Sequence, residues 1–170
     1  MVEETQAVHV GKSMLGINNQ APVLGGSEIE IAAAPEVAWD VLTAIERWPD
    51  WNPDVKSASL KGGIEEGSEF RWKAGPGTIT STIQYVDPPR RIVWTGKTFG
   101  IKAIHVHTLE PRDGGTFVAT EESYDGSVAR LFHRRLQKTL DGALHNGLRH
   151  LKSEAERRER NAVSSDPRGR

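Results

Sequence analysis

The chain of 170 residues contains no cysteine, which excludes disulfide bonds, thiolate metal ligands and a cysteine nucleophile. It has no apolar run near the roughly 20 residues that a membrane-spanning helix needs. Its first residues, M-V-E-E-T-Q, are acidic, unlike the basic start of a secretory signal. It also lacks an excess of either charge, because 22 basic and 23 acidic residues give a formal net charge of −1. We therefore expect a cytoplasmic protein with no nucleic-acid partner and no stable membrane insertion.

Several catalytic motifs are missing as well. The chain has no phosphate-binding P-loop and no G-x-G-x-x-G opening a helix after a strand, so nucleotide chemistry is not expected. No serine lies in a G-x-S-x-G elbow, which argues against a serine hydrolase. The length suits one domain of about 130 residues. We expect residues 1–24 to form a flexible arm, 25–158 a single domain and 159–170 a disordered tail, because both ends lack a hydrophobic period.

The segment from Ile29 to Pro53 changes from a strand period to a helix period. Ile29 alternates with polar residues as in a half-buried strand, and apolar residues then recur at helical spacing. Pro35 suits the first turn of a helix, while Pro49 and Pro53 end the helical run. The large apolar residues that we expect in the core here are Trp39, Trp48 and Trp51.

The middle of the chain reads as short strands separated by strong turn signals, the pattern of an antiparallel meander. The predicted strands span 55–60, 69–73, 78–86, 91–95, 101–109 and 116–124. Alternation places Phe70 and Trp72 on the same face of the strand 69–73. In the strand 78–86 it places Ile83 and Tyr85 on the same face. In the strand 101–109 hydrophobicity leaves two options for the inner face. These are Ala103, His105, His107 and Leu109, or Ile104, Val106 and Thr108.

A long helix is predicted from residue 128 to 158. Its apolar arc, centred on Leu140, covers about 80° to either side at 3.6 residues per turn. The apolar members are Phe132, Leu136, Leu144, Leu148 and Leu151. His133 and Gln137 fall inside the same arc, and Gly147 lies near its middle. A buried face with polar groups and a gap is either packed closely against backbone or lines a cavity.

Two groups of residues could carry chemistry. The H-x-H pair His105 and His107 resembles part of a zinc site if Glu121 or Glu122 faces it, but such a pair without cysteine is usually structural, and we expect no metal or cofactor. Glu122 lies at the same alternate positions as Thr120 and Tyr124 and so shares their face of the strand. If that face points inward, Glu122 could exchange protons with His105 or His107 and with His133. The alternatives are that Glu121 faces inward instead, or that the carboxylate forms an ion pair at the rim.

Five stretches together resemble the helix-grip fold of the START-like, or SRPBCC, superfamily, over about residues 27–158. They are I-x-I-x-A-x-P-x-x-V-W-x-x-L from Ile29, R-W-P-x-W-N-P from Arg47, V-D-P-P-R-R-I-V-W-T-G from Val86, H-x-H-x-L-E-P from His105, and D-G-G-T-x-V-x-T-E-E-S-Y-x-G from Asp113. In this order they look like the polyketide cyclase/dehydrase and lipid-transport branch. The resemblance implies an α+β fold in which a curved antiparallel sheet of about six or seven strands wraps around a long C-terminal helix, with two short helices after the first strand.

The resemblance also implies a cavity between sheet and helix that binds a hydrophobic or aromatic small molecule, polyketide-like or lipid-like. It suggests an inward His105, while His107 stands where relatives carry phenylalanine. The expected ligand-binding residues are Phe70, Trp72, Ile83, Tyr85, Ile92, Trp94, His107, Thr120, Tyr124, Gln137, Leu140, Leu144 and Leu148. The alternative is a metal-free cyclase or dehydratase whose acid-base residues are Glu122, His105 and His133. A second alternative, a protein-interaction domain, would need an exposed apolar patch.

Overall fold

A computed structural model describes residues 16–165 as one antiparallel sheet, one long helix and short connecting helices. The strands are β1 Val23–Ile31, β2 Val55–Leu60, β3 Glu69–Ala74, β4 Gly77–Asp87, β5 Arg91–Thr98, β6 Ile101–Arg112 and β7 Gly115–Asp125. The helices are α1 Pro35–Thr43, α2 Trp48–Trp51, α3 Ser127–Leu131 and α4 His133–Ser164, with a 3₁₀ turn at Ile45–Arg47. The helix-grip fold predicted from the sequence is confirmed.

The seven strands lie in the order β1-β7-β6-β5-β4-β3-β2. Strands β2 to β7 form a meander, and β1 closes the far side by pairing antiparallel with β7. β1 begins at Val23, inside the predicted arm, and α4 ends at Ser164, inside the predicted tail. The sequence pattern missed both boundaries. Val23 is ordered because it is buried against the sheet, and α4 continues through its polar end because helical hydrogen bonds extend to Ser164. Residues 1–15 of the arm and 166–170 of the tail lie outside the described residues.

α4 covers the free edge of β1 and packs mainly against that strand. Gly25 permits the close approach, because a Cβ at that position would come within 2.9 Å of Leu140. Polar side chains of α4 then bond the backbone groups that β1 leaves unpaired: Gln137 with the Leu24 N–H and carbonyl, and Glu156 with the Ala32 N–H. An open strand edge invites pairing with other chains, so α4 protects the sheet as well as closing the interior.

α2 closes one end of the grip with Trp48. The Trp48 ring makes edge-to-face contacts with Phe70 and Trp72 and a tilted contact with Trp94, at centroid distances of 5.5 to 5.9 Å. Its Nε1 donates to the Leu42 carbonyl at 2.8 Å, so the indole has no unpaired polar atom. The predicted core role of this tryptophan is confirmed, and the ring fills the space between the short helices and the sheet.

The C-terminal helical segment is interrupted at Phe132, which has φ −114° and ψ 25° and separates α3 from α4. The predicted arc assumed one continuous helix from residue 128. Because the break changes the direction of the chain, Phe132 and His133 are exposed instead of facing the sheet. The Nδ1 atom of His133 lies 3.3 Å from the Arg130 carbonyl oxygen. The prediction that His133 faces the interior is therefore wrong.

A register shift between Ile83 and Tyr85 changes the faces of β4. Ile83 pairs with Trp94 on the inner face, but Tyr85 pairs with Val93, whose side chain points the other way. A β-bulge inserts one residue and so reverses the alternation that follows it. The placement of Tyr85 on the inner face is thus wrong, and Val86 packs against the core instead.

Between residues 16 and 165, no helix is long and apolar enough to cross a membrane.

Candidate ligand site on the inner face of the sheet

The inner face of the sheet carries two adjacent rows of chemically capable residues. Strand register places Trp94 opposite His105, and His105 opposite Glu122. In the next row His107 lies opposite Thr120. Residues that are directly opposite in antiparallel strands share a face, so both histidines and Glu122 face inward. The first of the two options for the strand 101–109 is correct, and Glu122 rather than Glu121 is the buried carboxyl.

Thr120 links the two histidines. Its Oγ1 lies 2.7 Å from His105 Nε2, 3.4 Å from His107 Nε2 and 3.3 Å from the Val106 carbonyl oxygen. A threonine hydroxyl has one proton to donate and two lone pairs. It satisfies all three neighbours if it donates to the Val106 carbonyl and accepts from both Nε2–H groups. This assignment leaves each Nδ1 atom as a hydrogen-bond acceptor.

Both Nδ1 atoms are buried and have no hydrogen-bond partner within the described residues. His107 is 7 % exposed. Burial lowers the pKa of His107 to about 3. Burial, with a smaller contribution from His107, also lowers the pKa of His105 well below its ordinary 6.5. The two rings are therefore neutral at physiological pH, and each offers an unused acceptor to the interior.

Glu122 is the acidic member of the site. It is 8 % exposed, and burial raises its pKa from 4.5 to about 8. Its Oε1 lies 3.6 Å from His105 Nδ1, longer than a hydrogen bond. Burial, and then the charge on Glu122, raise the pKa of the neighbouring Tyr124. At neutral pH the carboxyl therefore holds a proton that it can donate.

Trp94 orders the imidazoles. Its ring stacks on His107 with a centroid distance of 4.9 Å and an angle of 27°, and lies 4.9 Å from His105 at a tilt of 59°. The two imidazole centroids are 4.3 Å apart. Flat contacts of this kind favour particular ring orientations. The histidines therefore present their nitrogen atoms in a preorganised direction.

A groove of about 540 Å³ runs along the side of α4 that faces away from β1. Its lining residues are Asp54, Arg135, Lys138, Thr139, Gly142, Ala143 and Asn146. Gly147, one turn after Ala143, is half-buried, and a Cβ placed there would meet no atom within 4 Å. The helix surface at Gly147 is therefore open, as expected from the missing side chain. Sequence analysis did not identify this groove, although Thr139, Ala143 and Asn146 follow helical spacing.

The predicted ligand-binding residues divide into four groups. Trp94, His107 and Thr120 belong to the polar cluster, with Tyr124 beside it, while Trp72 is half-buried on the inner face and donates to Ser81 Oγ at 3.1 Å. Gln137 is held at the edge of β1 by its hydrogen bonds and does not reach the cluster. Tyr85 lies on the outer face. The remaining predicted residues are fully buried in core clusters: Phe70, Ile83, Ile92, Leu140, Leu144 and Leu148.

Metal binding has no geometric support in the described part of the chain. Within residues 16–165, no three histidine, aspartate or glutamate side chains are arranged to hold a metal ion. The groups that the cluster itself presents are a protonated carboxyl, two neutral imidazoles and a hydroxyl.

The comparisons with known proteins agree with the helix-grip fold. The family model for polyketide cyclase/dehydrase and lipid transport matches residues 26–156. The chain belongs to this family. No curated protein matches the chain significantly. This family member and its structural neighbours therefore share a fold, while its own ligand and activity require separate arguments.

Three solved structures illustrate the likeness. A hypothetical protein from Helicobacter pylori has a TM-score of 0.73 at 12% identity, covering 82% of this chain and 91% of that one. The di-domain ARO/CYC protein StfQ of the steffimycin biosynthetic pathway has a TM-score of 0.68 at 17% identity, covering 80% of this chain and 51% of its own. A START superfamily protein from Mycobacterium smegmatis has a TM-score of 0.59 at 16% identity, covering 82% and 98%. At these identities the likeness shows the fold alone.

Proposed function

We propose that this family member binds a hydrophobic or aromatic small molecule, polyketide-like or lipid-like, between the inner face of the sheet and α4. The observation that carries the proposal is the pair of buried, unpartnered Nδ1 atoms of His105 and His107. An unsatisfied buried acceptor costs about 1 to 3 kcal/mol. A ligand that donates a hydroxyl to these nitrogen atoms would remove that cost. The proposed ligand is therefore mainly apolar and carries at least one hydroxyl group.

The groove beside α4 is the proposed entrance for this ligand. It borders the open space at Gly147, which lies on the helix between the buried Leu144 and Leu148. Small side chains, Gly142 and Ala143, line the groove on the helix side. Apolar sites with few convergent polar groups are the usual form of small-molecule pockets. The cluster at Glu122 would supply those polar groups.

The decisive experiment combines native mass spectrometry of freshly purified protein with ligand titrations followed by tryptophan fluorescence. Gly147→Leu fills the open space beneath α4, and Gly147→Ala serves as the matched control. Both substitutions raise helix propensity by up to about 1 kcal/mol, so neither should unfold the protein. We expect a co-purifying apolar mass that Gly147→Leu excludes and Gly147→Ala retains.

Three results would count against binding in this space. The first is a wild-type protein that carries no co-purifying mass and does not respond to hydroxylated polyketides and lipids. The second is equal binding by the wild type and Gly147→Leu, and the third is a loss of binding in Gly147→Ala as large as that in Gly147→Leu. The fluorescence titration uses Trp72 and Trp94, which lie on the inner face.

Acid-base catalysis, as in a cyclase or dehydratase, is the second candidate, and the position of His105 favours it. Its ring lies between the Thr120 hydroxyl and the Glu122 carboxyl, at 2.7 and 3.6 Å. A protonated Glu122 could protonate a departing hydroxyl group while a neutral imidazole accepts the proton on the adjacent carbon, so that water leaves and a double bond forms. General acid-base assistance of this kind contributes roughly 10²- to 10⁴-fold.

The catalytic candidate is tested with a β-hydroxyketone probe whose dehydration product absorbs in the ultraviolet. Glu122→Gln and His105→Gln should bind the probe and lose turnover by about a hundredfold or more. Turnover that survives both substitutions removes these residues as proton carriers. Binding without any turnover in the wild type leaves the carrier function and rejects the enzyme.

A further inference from the structure

One end of the molecule exposes three large apolar side chains. Phe99 is 72% exposed, Leu131 is 74% exposed and Phe132 is 52% exposed. Phe99 lies in the turn between β5 and β6, and the other two lie at the junction of α3 and α4. The two segments touch, because a Cβ at Gly100 would come within 3.1 Å of the Val128 side chain. The three residues therefore belong to one end of the grip.

The backbone conformation leaves these side chains largely exposed, although the Phe99 ring also contacts Gly77. Phe99 has a positive φ of 40°, the one such value among non-glycine residues in the described part of the chain. A bulky residue in this conformation is strained, and strained residues concentrate at functional positions. Phe132 is the residue that interrupts the helix, and this break leaves it outside the buried arc. Neither exposure follows from the local hydrophobic pattern.

Basic residues surround the apolar ones. The segment from Arg130 to Arg135 reads R-L-F-H-R-R, and residues 126–140 contain four basic residues and no acidic one. Arg130 pairs with Asp125, while Arg134 and Arg135 form no ion pair within residues 16–165. We call this end the basic tip. Its members are Lys97, Phe99, Lys102, Arg130, Leu131, Phe132, Arg134 and Arg135.

Two lysines of the basic tip oppose each other directly. Lys97 and Lys102 are register partners at the base of the turn that carries Phe99, and both are exposed. Like charges directly opposite in a sheet destabilise it. An anionic surface against the turn would remove this repulsion. Lys102 also lies opposite Asp125 of β7, which already offsets part of this repulsion, so the pair adds positive charge to the tip rather than a separate argument for an anionic partner.

We propose that the basic tip docks reversibly on an anionic lipid bilayer, inserting Phe99, Leu131 and Phe132 at the interface while the lysines and arginines contact lipid headgroups. Exposed aromatic and aliphatic side chains with basic neighbours are the composition of interfacial anchors. Each basic residue near an anionic membrane strengthens binding to it. The docking surface exists whether or not the interior holds a ligand.

Vesicle flotation of the full chain tests the proposal, with phosphatidylcholine vesicles compared with vesicles that also contain phosphatidylserine. The apolar variant is Phe99→Ser with Leu131→Ser, and its control is Val163→Ser, which removes a similarly exposed side chain, 71% exposed, from the far end of α4. The charge variant is Arg134→Ser with Arg135→Ser, and its control is Lys56→Ser with Arg71→Ser on exposed strand positions. Circular dichroism verifies that every variant is folded.

We expect binding to the anionic vesicles only, weakened by salt. The apolar and charge variants should each lose about tenfold or more in affinity, while both controls bind like the wild type. The proposal is overturned by absent binding, by equal binding to neutral vesicles, or by controls that lose as much as the tip variants. Fully retained binding in the apolar variant also overturns it, since docking would then be electrostatic adsorption without insertion. Because vesicle binding needs no ligand in the interior, an empty interior would leave this result unchanged.

Discussion

At the scale of single residues, burial sets the chemistry of the inner face. Glu122 and the two histidines occupy the same low-dielectric environment, and each is driven toward its neutral form. The carboxyl therefore keeps its proton and the imidazoles lose theirs. The alternation of β6 and β7 could predict which residues share a face, but it could not predict the protonation states. Those depend on how completely α4 and the aromatic rings exclude water.

The shifted pKa of Glu122 predicts an unusual pH dependence of stability. Between the ordinary pKa of 4.5 and the folded value of about 8, the folded protein keeps a proton that the unfolded chain releases. The free energy of unfolding should therefore fall as pH rises through this window, by about 1.4 kcal/mol per pH unit from this residue. Glu122→Gln should remove that fall. The measurement is urea unfolding of both proteins at a series of pH values.

The histidines act in the opposite direction and provide an internal check. Their folded pKa values lie below the ordinary 6.5, so the unfolded chain binds protons that the folded protein does not. Stability from His105 and His107 is present above pH 6.5 and is lost as pH falls below it. In Glu122→Gln the loss at acidic pH should remain, while the fall between pH 4.5 and about 8 should disappear. Identical pH profiles for the two proteins would contradict the assigned burial of Glu122.

At the scale of secondary structure elements, α4 acts as a clasp for the first strand. Gln137 and Glu156 reach the β1 backbone, and Lys152 donates to the Glu30 carbonyl. A helical wheel placed Gln137 in the buried arc and so suggested a cavity residue. Its actual role depends on β1 lying beside the helix, which is a tertiary relation. Gly25 depends on the same tertiary relation, because it allows close packing of Leu140 against β1.

Breaking the clasp should loosen β1 without unfolding the domain. Gln137→Ala combined with Glu156→Ala removes the helix contacts of the Leu24 and Ala32 backbone, at about 1 kcal/mol for each hydrogen bond. We expect faster amide hydrogen exchange at these two positions and little change in the centre of the sheet. Arg157→Ala is the control, because Arg157 pairs with Glu154 on the same helix and does not bond β1. Equal acceleration in the control would reject the clasp.

At the scale of the whole molecule, aromatic side chains fill one end of the grip. Trp48 and its aromatic neighbours fill the end under the short helices, whereas Gly147 and the groove mark open space along α4. The predicted lining treated the interior as a single cavity. Core packing fills part of this interior, because the side chains of Phe70, Ile83 and Ile92 contact other core residues. These three side chains are therefore not available to line the proposed ligand space.

Removing the plug should create a binding cavity at the filled end. Trp48→Ala deletes a ring that contacts three aromatic partners, and we expect a loss of about 3 to 5 kcal/mol in the free energy of unfolding. Indole should bind the resulting hole and restore part of the stability, since dry apolar cavities accept small aromatic molecules. Trp51→Ala, at a half-buried position, should cost less and show no rescue. Thermal unfolding with and without indole measures both effects.

The sequence by itself determined the order of the elements, the meander, the turn positions and the identity of the family, because hydrophobic period and glycine or proline punctuation are local properties. The resemblance also placed His105 on the inner face, but whether Glu121 or Glu122 lies beside it stayed open. Only the tertiary structure decided which residues remain accessible. A single bulge moved Tyr85 to the outer face, and a break at Phe132 turned His133 away from the sheet. These outcomes depend on register and packing between distant segments, which no local period encodes.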